Sequence, residues 1–131
     1  MSGSAFVAVG IGAMLGAWLR WLLGVALNPL LPSVPLGTLV ANLSGGFMIG
    51  VAVQYVAHNG GLPLEVRLFV ITGFLGALTT FSAFSAESVA LLSRGQYAWA
   101  LTHSGAHLLG SLAMTALGMA TVRAMSGAGG G

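Results

Sequence analysis

Four apolar runs, residues 5–27, 36–56, 66–92 and 97–125, follow one another with only short turn-forming breaks between them. Each is long enough to cross a hydrocarbon core of about 30 Å, which takes roughly 20 apolar residues in a helix. Helices are the form such runs must take, because lipid offers backbone groups no partners and leaves a sheet edge unsatisfied. The breaks carry the chemistry of stops. Asn28, Pro29, Pro32 and Pro35 end the first run, His58 to Pro63 the second, and Ser93, Arg94 and Gly95 the third. The 131 residues leave room for about four spans and almost nothing outside the bilayer. Residues 1–125 are therefore expected to form a single transmembrane domain. The tail 126–131 has no packing side chains and is expected to be flexible and outside the fold.

Composition excludes the other classes. Hydrophobic residues make up 56% of the chain, charged residues 5%, and the mean hydropathy is +0.96, against about 25% charged in a soluble domain. No soluble catalytic domain fits, and no nucleophile, base and orienting group converge in the sequence. The high isoelectric point comes from four scattered Arg against two Glu, with no basic patch for nucleic acid. Without Cys there are no disulfides or thiolate metal sites. The N-terminus lacks a charged leader region and a clear cleavage site, so the first run is expected to be a retained span.

The third run is unusual. Its 27 residues would span about 40 Å as a straight helix, so it must tilt, protrude or break. Within it lies TGFLGALTTFSAFS, residues 72–85, which sets glycines, paired threonines, serines and two phenylalanines at membrane depth. Gly73, Gly76, Thr79 and Thr80 mark the most plausible break. Disrupted helix is tolerated there only where protein or a water-filled path lines it. Glycine and threonine also serve close packing in membrane helices, which is the plainer reading of the glycines.

Several side chains could carry chemistry. Asn42 shares a helix face with Gly46 and Gly50, which places an amide at a tight contact; it can glue helices or donate to an anion. Phe81 and Phe84 are three apart and could present positive ring edges to a small anion, or simply pack. Ser82, Ser85 and Ser88 repeat on the same run. Arg20 either snorkels to the interface or draws anions into a vestibule, and Glu87 either carries protons or flanks a loop. His103, His107, Ser111 and Thr115 form a stripe at spacing four. No carboxylate or Cys near the histidines in sequence completes a metal site, so the stripe is expected to face a water path or another helix.

Orientation follows from charge. In a four-span chain Arg67 and Arg123 lie on one side, and Arg94 lies on the other, the side to which Arg20 is nearest. The lysine and arginine bias that orients membrane proteins vanishes. Either the chain inserts both ways up, which favours an antiparallel two-fold homodimer, or a weak residual bias decides.

The chain resembles the Fluc or CrcB family of small fluoride channels, through GAWLRW at 16–21, GTLVANLSGGFMIG at 37–50, GFLGALTTFSAFSAE at 73–87 and LLGSLAMTALG at 108–118. The resemblance implies an all-α membrane protein of four transmembrane helices per subunit, the third broken, assembled as an antiparallel dual-topology homodimer. It implies passive export of fluoride across a bacterial cytoplasmic membrane. By motif, Asn42 is the pore amide, Phe81 and Phe84 the paired pore phenylalanines, Ser111 a polar pore position and Arg20 the vestibule arginine. Backbone carbonyls at Gly76 and Thr79 would hold a central structural sodium ion. Ala77, Ala83, His103 and His107 depart from the family pattern. The competing class is a small proton-coupled multidrug exporter, which needs a membrane-embedded carboxylate; only Glu87 is available. A third is an assembly protein in which these polar groups merely join helices.

Overall fold

The computed structural model describes residues 2–129, all of them in helices or short connections, with no strand among them. Helix α1 is Gly3–Leu27, α2 is Leu36–Asn59 and α5 is Tyr97–Gly129. The third span, Leu64–Ser93, is composite. Its first part, α3, covers residues 64–78 and contains a π-helical stretch, Leu68–Leu75, between short α-helical pieces. Its second part, α4, is Ser82–Ser93. All four spans are long and apolar enough to cross a membrane. Helix α5 runs on through Gly129, into the segment set aside from sequence as a tail, whose last two residues lie outside the described residues.

The ends are built by the breaks. Gly60 closes α2 in the left-handed conformation at φ 60°, its N–H bonding the Val56 carbonyl at 2.8 Å, the geometry glycine adopts without steric cost. Helix α2 begins after Pro35 and lacks a cap of its own. Asn28 reaches across the connection instead, its Oδ1 accepting from the N–H groups of Gly37 at 2.7 Å and Thr38 at 3.3 Å. Two donors orphaned at the helix start are thereby satisfied.

Packing rests on small residues rather than on a large core. Helix α1 lies against the π-helical stretch and α2 against α5. A Cβ on Gly12 would overlap the Phe69 carbonyl, one on Gly16 the Phe74 carbonyl, and one on Gly50 the Thr115 carbonyl. Backbones therefore touch at these crossings, as in membrane bundles where lipid offers no hydrophobic drive between helices. The buried apolar cluster is small, centred on Ala41, Leu75 and Leu78. Large side chains such as Phe6, Trp18, Trp21, Leu101 and Leu109 face outward. Lipid is the solvent that suits such a surface.

Candidate functional site

Between Leu78 and Ser82 regular helix lapses, and Thr79 is extended at φ −84°, ψ 153°. Asn42 of α2 meets this interval with its whole amide. The Thr80 N–H donates to Asn42 Oδ1 at 2.7 Å, and Asn42 Nδ2 donates to the Thr80 carbonyl at 2.9 Å. The second Nδ2 hydrogen goes to His107 Nδ1 on α5 at 3.0 Å. Asn42 thus ties three elements together, and both of its N–H groups are engaged.

The same interval frees backbone oxygens. In a continuous helix the Gly76 and Thr79 carbonyls would accept from the N–H groups four residues on. Those are Thr80, held by Asn42 Oδ1, and Ala83, held by Thr80 Oγ1 at 3.1 Å. A third carbonyl, Ala77, accepts from Arg20 Nε at 3.0 Å. Carbonyls released at an interrupted helix are hard oxygen donors.

An open groove of about 430 Å³ runs beside this interval, lined among others by Asn42, Thr79, Phe81, Phe84, His107 and Ser111, with Gly76 at its edge. The two phenylalanines meet edge to face, centroids 5.5 Å apart, and Phe81 is 79% exposed. Phe84 stacks on His103 at 5.4 Å and lies 4.9 Å from His107. Of the residues the family resemblance assigned, Asn42, Gly76, Thr79, Phe81, Phe84 and Ser111 therefore share one groove. Arg20 does not: it lines a separate depression with Trp21, Thr38 and Glu87, its Nε turned to the backbone of the third span.

Glu87 corrects the sequence reading that no carboxylate stands near the histidines. Its Oε1 accepts from His103 Nε2 at 3.0 Å and its Oε2 from Thr38 Oγ1 at 2.8 Å. Ser88 Oγ bonds His103 Nδ1 at 2.9 Å and meets Ser104 Oγ at 3.2 Å. Ligand atoms of Glu87, His103 and His107 lie within 4.8 Å of one another. The signal for this cluster was available. Glu87 and His103 are equidistant in sequence from Gly95, the turn of a helical hairpin at φ 72°, which puts them at the same height on neighbouring helices.

Tautomers follow from these partners. A carboxylate only accepts, so His103 carries a proton on Nε2. Asn42 cannot be reversed end for end, because Thr80 requires an acceptor at one end and a donor at the other. His107 Nδ1 must therefore accept, and the ring proton sits on Nε2. A metal ion needs a lone pair there and would meet an N–H. His107 Nε2 is buried, with no hydrogen-bond partner among the described residues.

Four spans long and apolar enough to cross a membrane, with a mostly apolar groove that also presents an amide, hydroxyls and aromatic rings, define a multi-pass membrane protein. The chain belongs to the CrcB-like family: residues 7–119 match the family described as CrcB-like protein, Camphor Resistance (CrcB). It is 63% identical over 119 residues to a fluoride-specific ion channel FluC of Nitrosospira multiformis, covering 91% of this chain and 93% of that one. It is 57% identical over 126 residues to the FluC of Ralstonia pickettii, covering 96% and 100%, and 59% identical over 118 residues to that of Bordetella pertussis, covering 90% and 91%.

Proposed function

We propose that this protein is a passive fluoride-selective channel that lets cytoplasmic fluoride leave across a bacterial cytoplasmic membrane. The observation that carries the reading is near-complete coverage by relatives named fluoride-specific ion channels, joined to a largely apolar groove into which an amide, hydroxyls and aromatic rings are set. Such groups replace a hydration shell without trapping the ion. Fluoride enters cells as uncharged HF, dissociates, and then needs an anion exit. A negative-inside potential drives that exit by about 2.3 kcal/mol per charge per 100 mV.

The working unit is an antiparallel homodimer of subunits inserted both ways up. The even split of arginines supports dual insertion, and the exposed Phe81 face supports a covering partner. The lapse at Thr79 is the broken third helix, with Asn42, Phe81, Phe84 and Ser111 as pore residues and Arg20 at the vestibule. An ion drawing on Asn42 would take the N–H now given to His107. Gly76 and Thr79 carbonyls would hold a structural sodium, which when bound supplies fixed positive charge between the subunits.

Proton-coupled export is disfavoured because the Glu87 carboxylate is committed to Thr38 and His103. The test is fluoride flux from proteoliposomes with a fluoride gradient and no proton gradient. Flux supports the channel; a strict requirement for a proton gradient contradicts it.

A further inference from the structure

We propose that the third span is a one-residue register switch: the residue now spare in its π-helical stretch can pass to the lapse at Thr79, which exchanges Gly76 and Thr79 for Leu75 and Leu78 at the groove and narrows it. Helix α1 marks where the spare residue sits. Against Gly12 the third span presents the Phe69 carbonyl and the Phe74 N–H, five residues apart, the spacing of a π-helical bond. Against Gly16, one turn further along α1, it presents the Phe74 carbonyl and the Leu78 N–H, four apart, the spacing of α-helix. If the π turn relaxed to α-helix at fixed sequence, each following residue would step into the place of the next until slack absorbed the move. The interval between Leu78 and Ser82, extended at Thr79, is that slack.

The contacts that hold the span repeat one residue earlier. Gly73, already packed against the Val9 carbonyl and Gly12, would take the place of Phe74 against α1. Arg20 Nε, which holds the Ala77 carbonyl at 3.0 Å, would take that of Gly76. Asn42, which clasps the Thr80 peptide at 2.7 and 2.9 Å, would clasp that of Thr79, the same residue type. These partners are backbone groups, so the move preserves them. The groove does change. Gly76 is exposed, and a Cβ there would meet only the Ile71 carbonyl, at 3.7 Å. Leu75 in its place would project its side chain into that room, and Leu78 would replace the hydroxyl of Thr79. The core sets the balance: Leu78 is fully buried in a cluster with Ala41 and Leu75, and Ala77 in its place would leave a void. The π register is therefore the populated, open state and the α register a minor, closed one. Closure rests on the channel reading; the exchange of registers does not.

The experiment uses full-length protein labelled with ¹⁵N-glycine and ¹⁵N-threonine in lipid nanodiscs, read by relaxation dispersion, which detects register shifts on the μs–ms scale. Gly73, Gly76, Thr79 and Thr80 are expected to exchange at one common rate, while Gly50 and Gly118, at the crossing of α2 and α5, stay flat. Deletion of Thr72, an exposed residue of the stretch, removes the spare residue. The exchange should then vanish and fluoride flux from proteoliposomes persist. The pair Ala77→Leu and Leu78→Ala puts the large side chain where the closed register needs it. Flux should fall about tenfold or more, as when the open register drops below a tenth of the molecules. Deletion of Thr72 in that pair should restore part of the flux, which a merely damaged core would not allow. Flat dispersion at all four positions, exchange that survives the deletion, or a folded deletion variant that has lost its parent's flux overturns the proposal. The spectra decide the question even if the pair fails to fold. The expected exchange in protein that passes no fluoride instead removes the channel reading and leaves the switch standing.

Discussion

Asn42 and Thr80 are joined by a closed pair of hydrogen bonds, side-chain amide to backbone peptide, across 38 residues of sequence. The pairing gives the Thr80 peptide the partners that helix would otherwise supply, which membrane depth makes obligatory. It also orients the amide that faces His107.

Asn42→Ala removes three bonds and leaves the Thr80 peptide unpaired. The expected loss is about 2–4 kcal/mol, since side-chain bonds in membranes average about 0.6 and reach about 1.7 kcal/mol each. Unfolding under increasing denaturing detergent measures it. An unchanged midpoint contradicts the assigned pairing.

Gly16→Leu is expected to disrupt folding, because its Cβ would collide with the Phe74 carbonyl, a backbone atom that cannot turn aside. Overpacking costs about 1–3 kcal/mol or more. Gly10→Ala, where no atom lies within 4 Å of the added carbon, is the control and should be neutral. Thermal unfolding of the two variants should therefore diverge.

Asn28→Ala deprives the Gly37 and Thr38 N–H groups of their acceptor. A loss of about 1 kcal/mol is expected, as for other helix-start caps. Amide hydrogen exchange should quicken at the start of α2 and leave α5 unchanged.

Thr80→Val removes the hydroxyl that caps the Ala83 N–H and so loosens the backbone around the Thr79 carbonyl. If Thr79 is a sodium ligand, the stabilisation by sodium over N-methylglucamine should shrink or vanish in this variant, while Thr80→Ser retains it. An equal sodium effect in Thr80→Val and the unaltered protein contradicts the ligand assignment.

The four spans were legible because apolar length and the Pro and Gly breaks are local signals; α1 and α2 end within three residues of the expected positions. The π-helical stretch was not, since LFVITGFL reads as ordinary apolar helix and its geometry is set by close contact with α1. Asn42 stood out as a polar group on a small-residue face, but its partner, a backbone peptide, has no sequence signature. The Glu87 and His103 pair needed the hairpin as well as the residue types. Arg20 stood out as a charge in a span, whereas its turn toward the Ala77 carbonyl depends on where the third span lapses.

The most direct test of the central claim is ion efflux from liposomes containing purified protein, with valinomycin clamping the voltage and electrodes reading fluoride and chloride separately. Rapid fluoride efflux without chloride efflux is the predicted result. Equal passage of both anions, or no fluoride passage through folded protein, would contradict it.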